Sequence, residues 1–317
     1  MVALLLVAVC LLDSVRRTGS RLALLAAVVI LFLAGLMRQN AVVAEAPLFV
    51  WSALLWGGGR RTDKRHAFTI AVATILVAST SALSVVTNRL LASTNFGRAA
   101  APTMYYDLMG MSVRANALLV PRSGTVPGYS LENVRSRYQD LYFDPTGVTL
   151  PASAAEMKAL AAAWRDAVLT HPKDYLRHRG FVTRRLLGVS GVPRLPYFYG
   201  IPESYYSRYV SDERYYVSFP NSAPRTWVAR YLAFFQPWVF RPWIYGVSAL
   251  GVVFLYRHRT EAPFWLCMSG GFYEVSFFFA APATDFRYSW WGVLSVMTAL
   301  ALICVRPLGP RRAGRGT

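Results

Sequence analysis

Arginines at the ends of apolar segments are the first residues of this sequence whose type and position could do chemistry. Arg38 and Asn40 close one apolar run, and Arg287 lies in a short polar stretch between two others. A guanidinium group forms paired hydrogen bonds to phosphate oxygens and keeps its charge at any working pH. The sequence therefore predicts a clamp for a lipid-linked phosphate. The alternatives are arginines that only reach the membrane interface, or an ion pair between Arg38 and Glu45.

Two carboxylic acids, Glu274 and Asp107, are candidate acid–base groups. Glu274 lies midway through the apolar segment GGFYEVSFFF, where a charged group costs roughly a few kcal/mol. Its alternative role is a protonated acid that is hydrogen-bonded to another helix. Asp107 lies among aromatic and methionine residues, and the pattern favours a structural role for it, at a helix N-terminus. A carboxylate that deprotonates a sugar hydroxyl sometimes acts with a divalent cation, which is therefore a candidate cofactor.

The composition and the motifs exclude several classes of protein. Lys and Arg number 34 against 16 Asp and Glu, but no basic–aromatic motif for nucleic acid accompanies this excess. The three cysteines and four histidines lack the spacing of a metal or redox site. The sequence contains no P-loop, no GxSxG motif and no dinucleotide-binding fingerprint. We therefore expect no nucleic-acid binding, no disulfide, no cysteine-ligated metal and no ATP-driven transport.

Seven apolar segments must position the candidate residues. With 55% hydrophobic and 16% charged residues, the chain is more apolar than a soluble protein of its length. Most of the segments approach the roughly 20 residues that a bilayer core requires, which predicts an all-α polytopic membrane protein with about seven transmembrane helices. The segments are 1–12, 21–37, 41–57, 67–92, 239–256, 263–282 and 286–305.

Clusters of arginine and lysine follow the first, third, fifth and seventh segments. Because such clusters stay on the cytoplasmic side, they place the basic tail 306–317 in the cytoplasm and residues 93–238 outside the membrane. The transmembrane regions are then 1–92, with four helices, and 239–305, with three. The first segment is short and no basic residue precedes it. We therefore expect either a short or re-entrant helix there, or a chain that lacks upstream helices.

Residues 93–238 form the long polar stretch of the chain and are numerous enough to carry a site. An S-x-x-E capping box that begins at Ser153 predicts a helix over about 154–170. Pro172 suits the first position of a second helix, which would form a hairpin with the first. Residues 188–224 are rich in proline and aromatic residues, and we expect an irregular loop near the membrane surface. The predicted apolar face of the second helix consists of Tyr175, Leu176, Val182 and Leu186.

Four short motifs are RQNAVVAEAPL at 38–48, YDLMGMS at 106–112, HPKDYLRHR at 171–179 and PATDFRY at 282–288. Together they resemble bacterial polytopic glycosyltransferase-like proteins of the GT-C superfamily. In that superfamily an Arg-Asn-Pro pattern ends a middle transmembrane helix, and an Asp-x-Arg-Tyr loop joins late helices on the outer face. The resemblance implies that the lipid phosphate is bound by Arg38, Asn40, Asp285, Arg287 and Tyr288.

The resemblance also implies a reaction: inverting transfer of a sugar from a polyprenyl-phosphate donor to an extracytoplasmic acceptor at the bacterial inner membrane. A carboxylate deprotonates the acceptor hydroxyl. In the superfamily this carboxylate lies in a first extracytoplasmic loop that is not visible in this sequence, so Asp107 is the candidate substitute.

Two other functions remain open. One is a non-enzymatic envelope assembly or scaffold protein that binds a partner through residues 93–238. The other is a transporter for a lipid-linked anion, with a polar path through Glu274.

Overall fold

The structure is a computed structural model, which describes residues 1–37, 41–57, 62–91, 100–125, 127–138, 148–190, 239–256, 261–281 and 286–305. Within these ranges all regular secondary structure is helical. The one β-type contact among the described residues is an isolated antiparallel bridge between Thr125 and Val148. The predicted all-α fold is therefore confirmed for the described residues. Their α-helices are α1 (Val2–Thr18), α2 (Arg21–Met37), α3 (Ala41–Trp56), α4 (Thr62–Leu91), α5 (Ala101–Ala115), α6 (Leu131–Arg137), α7 (Ala154–Thr170), α8 (Pro172–Leu186), α9 (Pro242–Tyr256), α10 (Ala262–Ala280) and α11 (Trp290–Val305).

The described residues fall into two compact units. The first unit lies within Met1–Phe96, Ile244–Phe277 and Trp290–Thr317. The second lies within Gly97–Trp243 and Phe278–Ser289. The second unit thus contains part of the extracytoplasmic region predicted from the sequence together with the segment that follows α10.

The seven helices α1–α4 and α9–α11 coincide with the seven predicted apolar segments. α1 is longer than the predicted segment 1–12 because its charged residues stay helical. The carboxylate of Asp13 pairs with Arg16 and Arg17 one turn later, at 3.3 and 3.2 Å. The helix ends at Gly19, whose φ of 70° is a left-handed conformation that glycine adopts without strain.

One helix among the described residues has both the length and the apolar character to cross a bilayer. It is α4, through the stretch His66–Thr87. α2, α3, α9 and α11 are apolar as well, but their 15 to 17 residues are fewer than the roughly 20 that a bilayer core requires.

Small side chains bring the helices of the first unit close together. A Cβ added to Gly35 of α2 would lie 2.8 Å from Glu45 Oε2, so the buried Glu45 side chain of α3 fills the space that this glycine leaves. Ser269 of α10 donates a hydrogen bond to the Ala44 carbonyl of α3 at 2.6 Å. The same hydroxyl accepts a hydrogen bond from Trp291 Nε1 of α11 at 3.0 Å. Ser269 therefore links three helices.

α5 is the central helix of the second unit and packs against α6, α7 and α8. The Tyr105 hydroxyl donates to the carbonyls of Gly124 and Thr149, at 3.4 and 3.1 Å, and so holds the adjoining turn against the core. The buried core of the unit includes Tyr105, Leu108, Met109, Met111, Val134, Leu160 and Tyr175.

α7 and α8 confirm the predicted hairpin. The Ser153 hydroxyl caps α7 and accepts from the Glu156 backbone N–H at 3.2 Å. The Glu156 carboxylate, however, accepts from the Ala152 N–H at 2.6 Å, one residue before the position that the capping box predicts. Pro172 begins α8 as expected. On the predicted apolar face of α8, Leu176 is 55% exposed, whereas the buried members are Tyr175, Val182 and Leu186.

Candidate functional site

Asp107 lies in the middle of α5 and is completely buried. Its Oδ2 accepts hydrogen bonds from Arg179 Nη2 at 2.7 Å and from Trp164 Nε1 at 2.8 Å. A buried carboxylate is tolerated when it is paired and hydrogen-bonded, and these two short bonds meet that condition. The expected place of Asp107 at a helix N-terminus is wrong, because α5 begins at Ala101 and its first turn contains no acidic residue.

Arg179 connects α5 and α8 with the chain segment that follows α10. Its guanidinium is completely buried, and Nη1 donates to the Ala281 carbonyl at 2.8 Å while Nη2 bonds Asp107. Thr103, near the start of α5, donates to the Ala280 carbonyl at 3.5 Å. The short 3-10 helix Phe286–Ser289 also lies against α8. Three parts of the chain that are distant in sequence therefore meet around Arg179.

His178 precedes Arg179 on α8 and is also completely buried. Its Nε2 lies 3.3 Å from Asp107 Oδ1, but the two atoms are not aligned as a hydrogen bond. Burial lowers the pKa of His178 below its ordinary value of 6.5; Asp107 opposes this shift, and the charges of Arg179 and Arg114 add to it. The ring is therefore neutral at pH 7, and a neutral imidazole has one donor and one acceptor nitrogen.

Tyr138, at the end of α6, is partly exposed and reaches the buried histidine. Its hydroxyl lies 3.0 Å from His178 Nδ1. Arg114 Nη1 lies 3.4 Å from the same hydroxyl and also donates to a backbone carbonyl of α5 at 3.0 Å. We call the following five residues the Asp107 cluster: Asp107, Tyr138, Trp164, His178 and Arg179.

A glycine allows α5 and α8 to approach closely enough to form this cluster. A Cβ added to Gly110 of α5 would overlap the His178 ring, with Cε1 at 2.5 Å and Cγ at 2.7 Å. The edge of the His178 ring also packs against Tyr106, with the ring centroids 4.9 Å apart. The imidazole is therefore held by packing on two sides and by Tyr138 at Nδ1, and Asp107 Oδ1 lies 3.3 Å from Nε2.

Most of the predicted phosphate-binding side chains lie outside what the structure describes. Arg38, Asn40 and Asp285 fall outside the described residues, as does the side chain of Arg287. Tyr288 belongs to the second unit and is buried, with 8% of its surface exposed. The prediction that these five residues bind a lipid phosphate therefore remains a prediction.

The other carboxylates that the sequence singled out belong to the first unit. Glu274 lies on α10 beside Gly292 of α11, where an added Cβ would come within 2.9 Å of the carboxyl carbon. Glu45 is completely buried, and neither of its oxygens has a hydrogen-bond partner among the described residues. Its proposed pairing with Arg38 lies outside the described residues. Asp107 and Glu274 are thus in different units.

The sequence analysis missed Tyr138, Trp164, His178 and Arg179 as members of a site. A signal for two of them was present, because His178 and Arg179 fall between Tyr175 and Val182 on the apolar face of α8. An ionisable residue at such a position must be buried and paired. No comparable signal marks Tyr138, since its contact with His178 joins residues 40 positions apart.

Chemically, the Asp107 cluster joins a buried acid and base to a partly exposed tyrosine. Such an arrangement can hold a fold together, or it can move a proton between the surface and the interior. Comparisons of the chain with known protein families, with curated proteins and with solved structures found no match.

Proposed function

We propose that the chain is a multi-pass membrane glycosyltransferase that transfers a sugar from a polyprenyl-phosphate donor to an extracytoplasmic acceptor. The observation that carries this proposal is the meeting of three of the four motifs that resemble the GT-C superfamily. Asp107 of YDLMGMS bonds Arg179 of HPKDYLRHR, and Arg179 bonds Ala281, which directly precedes PATDFRY. Residues that converge from distant parts of a chain are typical of a functional site.

Exposed apolar helix faces support the membrane part of the proposal. One stripe of α2 is 46 to 77% exposed, at the helical spacing of i, i+3, i+7 and i+11. In α4 only 22% of the most apolar window is buried, whereas a core helix of a soluble protein would be mostly buried. Such faces suit contact with lipid. The exposed stripe of α2 consists of Leu22, Leu25, Val29 and Leu33.

We assign α1–α4 and α9–α11 as the seven spans, with the second unit outside the bacterial inner membrane and the C-terminus inside. Single cysteines in a cysteine-free chain test this topology in intact cells. An impermeant maleimide should label Ala159→Cys, on the exposed face of α7, and should label Thr18→Cys only after lysis. Labelling of both positions in intact cells would contradict the topology.

Within this function, the residues that the GT-C resemblance assigns to the donor phosphate are Asp285, Arg287 and Tyr288 in one part of the chain and Arg38 and Asn40 in another. Asp107 has no exposed surface, so it positions its neighbours and does not touch the acceptor. Glu274 is the other candidate carboxylate. No group of three or more His, Cys, Asp or Glu side chains among the described residues could hold a metal ion.

Sugar transfer in isolated membranes tests the function. Membranes that contain the chain would be incubated with radiolabelled glucose, mannose or arabinose on polyprenyl phosphate, and release of label from the lipid would be measured. Arg287→Ala should abolish release while expression stays unchanged, because it removes the guanidinium group that would form paired hydrogen bonds with the donor phosphate. Arg165→Ala, at an exposed arginine of α7, is the matched control. Equal release by Arg287→Ala and wild type would exclude the proposed role of Arg287.

A non-enzymatic scaffold is the second candidate, and the complete burial of Asp107, His178 and Arg179 favours it. A structural ion pair is buried in this way, whereas a catalytic group must reach its substrate. A scaffold predicts a stable stoichiometric partner in mild-detergent purification and no sugar release from any donor. The transferase predicts release without such a partner.

A further inference from the structure

We propose that Tyr138, His178 and Asp107 form a proton relay in which the hydroxyl of the partly exposed Tyr138 accepts a substrate proton. This inference rests on the proposed function, because the substrate is taken to be the acceptor hydroxyl of the glycosyl transfer. Asp107 is a candidate acid–base group, but it has no exposed surface and can act on a substrate only through other groups. The relay supplies those groups.

The geometry has the three parts of an activated hydroxyl: a nucleophile or acid, a base beside it, and a group that orients the base. The Tyr138 hydroxyl lies 3.0 Å from His178 Nδ1, and we assign the hydroxyl as the donor in this pair. His178 Nε2 then carries the ring proton and faces Asp107 Oδ1 at 3.3 Å. Arg179 and Trp164 fix the other carboxylate oxygen and so keep the aspartate in place.

The electrostatics of the cluster keep His178 in the neutral form, which has a nitrogen lone pair for a proton from Tyr138. His178 is neutral at pH 7 because burial disfavours its charged form, so its Nδ1 is able to accept a proton. Once protonated, the imidazolium lies between Asp107 and the tyrosyl oxygen. Arg114, 3.4 Å from that oxygen, stabilises the negative charge that develops on it.

In the transfer step, the acceptor oxygen attacks the anomeric carbon of the donor sugar as the bond from that carbon to the phosphate oxygen breaks. The electron pair leaves on polyprenyl phosphate. The acceptor proton moves to Tyr138 Oη while the tyrosyl proton moves to His178 Nδ1. The products are the glycosylated acceptor, polyprenyl phosphate and a protonated His178, which returns its proton to Tyr138 Oη as the tyrosyl proton passes to water. Tyr138 is the catalytic residue in this scheme, whereas His178 and Asp107 act through it.

An arylsulfonyl fluoride tests the relay without any sugar substrate. It reacts with a tyrosyl oxygen to form a sulfonate ester and releases fluoride and a proton, which His178 would accept. The full chain in detergent micelles would be labelled, and the rate at each tyrosine read by peptide mass spectrometry. Ordinary tyrosines, with a pKa of about 10, should react about tenfold faster for each pH unit between 7 and 9. Tyr138 should react at an almost constant rate over this range, because a neutral histidine already accepts its proton.

Variants on the same helix add a matched comparison. His178→Asn should slow labelling of Tyr138 by about tenfold or more, while His171→Asn, at the N-terminus of α8, should leave it unchanged. The pH profile of wild type needs no variant and therefore decides the question even if His178→Asn fails to fold. A tenfold rise per pH unit at Tyr138, or an equal rate in folded His178→Asn, would overturn the relay.

Sugar release separates this inference from the proposed function. Tyr138→Phe removes one oxygen and should lower release by about 100-fold or more, with donor binding unchanged. Release that is equal in Tyr138→Phe and wild type overturns the relay and leaves the transferase standing. A pH-independent labelling rate at Tyr138, together with no release of sugar from any donor, would refute the glycosyltransferase and the transfer step. It would still support the activated Tyr138 hydroxyl.

Discussion

The buried ion pair between Arg179 and Asp107 gives the sharpest test of the second unit. Both side chains have 0% of their surface exposed, and the pair is 2.7 Å apart. Replacing Arg179 with Met would keep the volume of the side chain but leave the aspartate buried without its counter-ion. Removing one partner of such a pair typically costs about 3–5 kcal/mol. The loss of the bond to the Ala281 carbonyl adds to this cost.

Urea unfolding of the full chain in detergent micelles, followed by a short protease pulse, measures this loss. Cleavage would be mapped to fragments within residues 101–186. With a slope of about 2 kcal/mol per molar urea, the expected loss lowers the midpoint by roughly 1.5–2.5 M. The matched control is Arg165→Met, whose partner Asp166 is about two-thirds exposed. That variant should change stability by only about 0.5 kcal/mol or less.

A double variant separates the charge from the packing. Asp107→Leu with Arg179→Met removes both buried charges, so it should be less destabilised than Arg179→Met alone even though Trp164 and His178 lose a partner. A midpoint for Arg179→Met within about 0.3 M of the Arg165→Met control would refute the reasoning, because it would show that Asp107 is not a buried, uncompensated charge in that variant. A double variant that is less stable than Arg179→Met alone would refute it as well.

Three further changes test the packing and the titration of the chain. Gly110→Ala should destabilise the second unit by about 1–3 kcal/mol, because the added Cβ would overlap the His178 ring. Gly180 has open space around it, so Gly180→Ala should stabilise α8 by up to about 1 kcal/mol. The urea midpoints of both variants check these two values. The pKa of His178 is lower in the folded state than the ordinary 6.5, so the unfolded chain binds more protons and stability should fall as pH drops below 6.5, by up to about 1.4 kcal/mol per pH unit. His178→Asn should flatten that part of the curve between pH 7 and 5.5, and an unchanged slope would contradict the assignment. Ser269→Ala should destabilise the first unit by about 1–3 kcal/mol because the Trp291 N–H loses its partner in the interior, and a thermal melt of the micellar protein would detect it.

Much of the helical fold could be predicted from the sequence, because local patterns determine where helices form. The capping serine and Pro172 mark the starts of α7 and α8, and the apolar runs mark seven helices. The length of α1 was underestimated because Asp13, which reads as the end of an apolar run, is neutralised within the helix by two arginines. Local sequence shows the charge but not the pairing.

The site was harder to predict, because its members interact over long sequence separations. Asp107 was identified as important, but its partners Trp164, His178 and Arg179 lie 57 to 72 residues away. A single carboxylate in the sequence does not indicate whether it faces a substrate or a buried arginine. The decisive fact is burial, which depends on how α5, α7 and α8 pack and on Gly110 in particular.

Sugar release from polyprenyl-phosphate donors by membranes that contain the chain is the measurement that tests the central claim most directly. We expect wild type and Arg165→Ala to release label from at least one donor. Arg287→Ala and Tyr138→Phe should release none, or about 100-fold less, at equal expression and with unchanged urea midpoints. Failure of wild type to release label from any of the three donors, in membranes where the chain is folded, would contradict the account, as would full activity of Arg287→Ala.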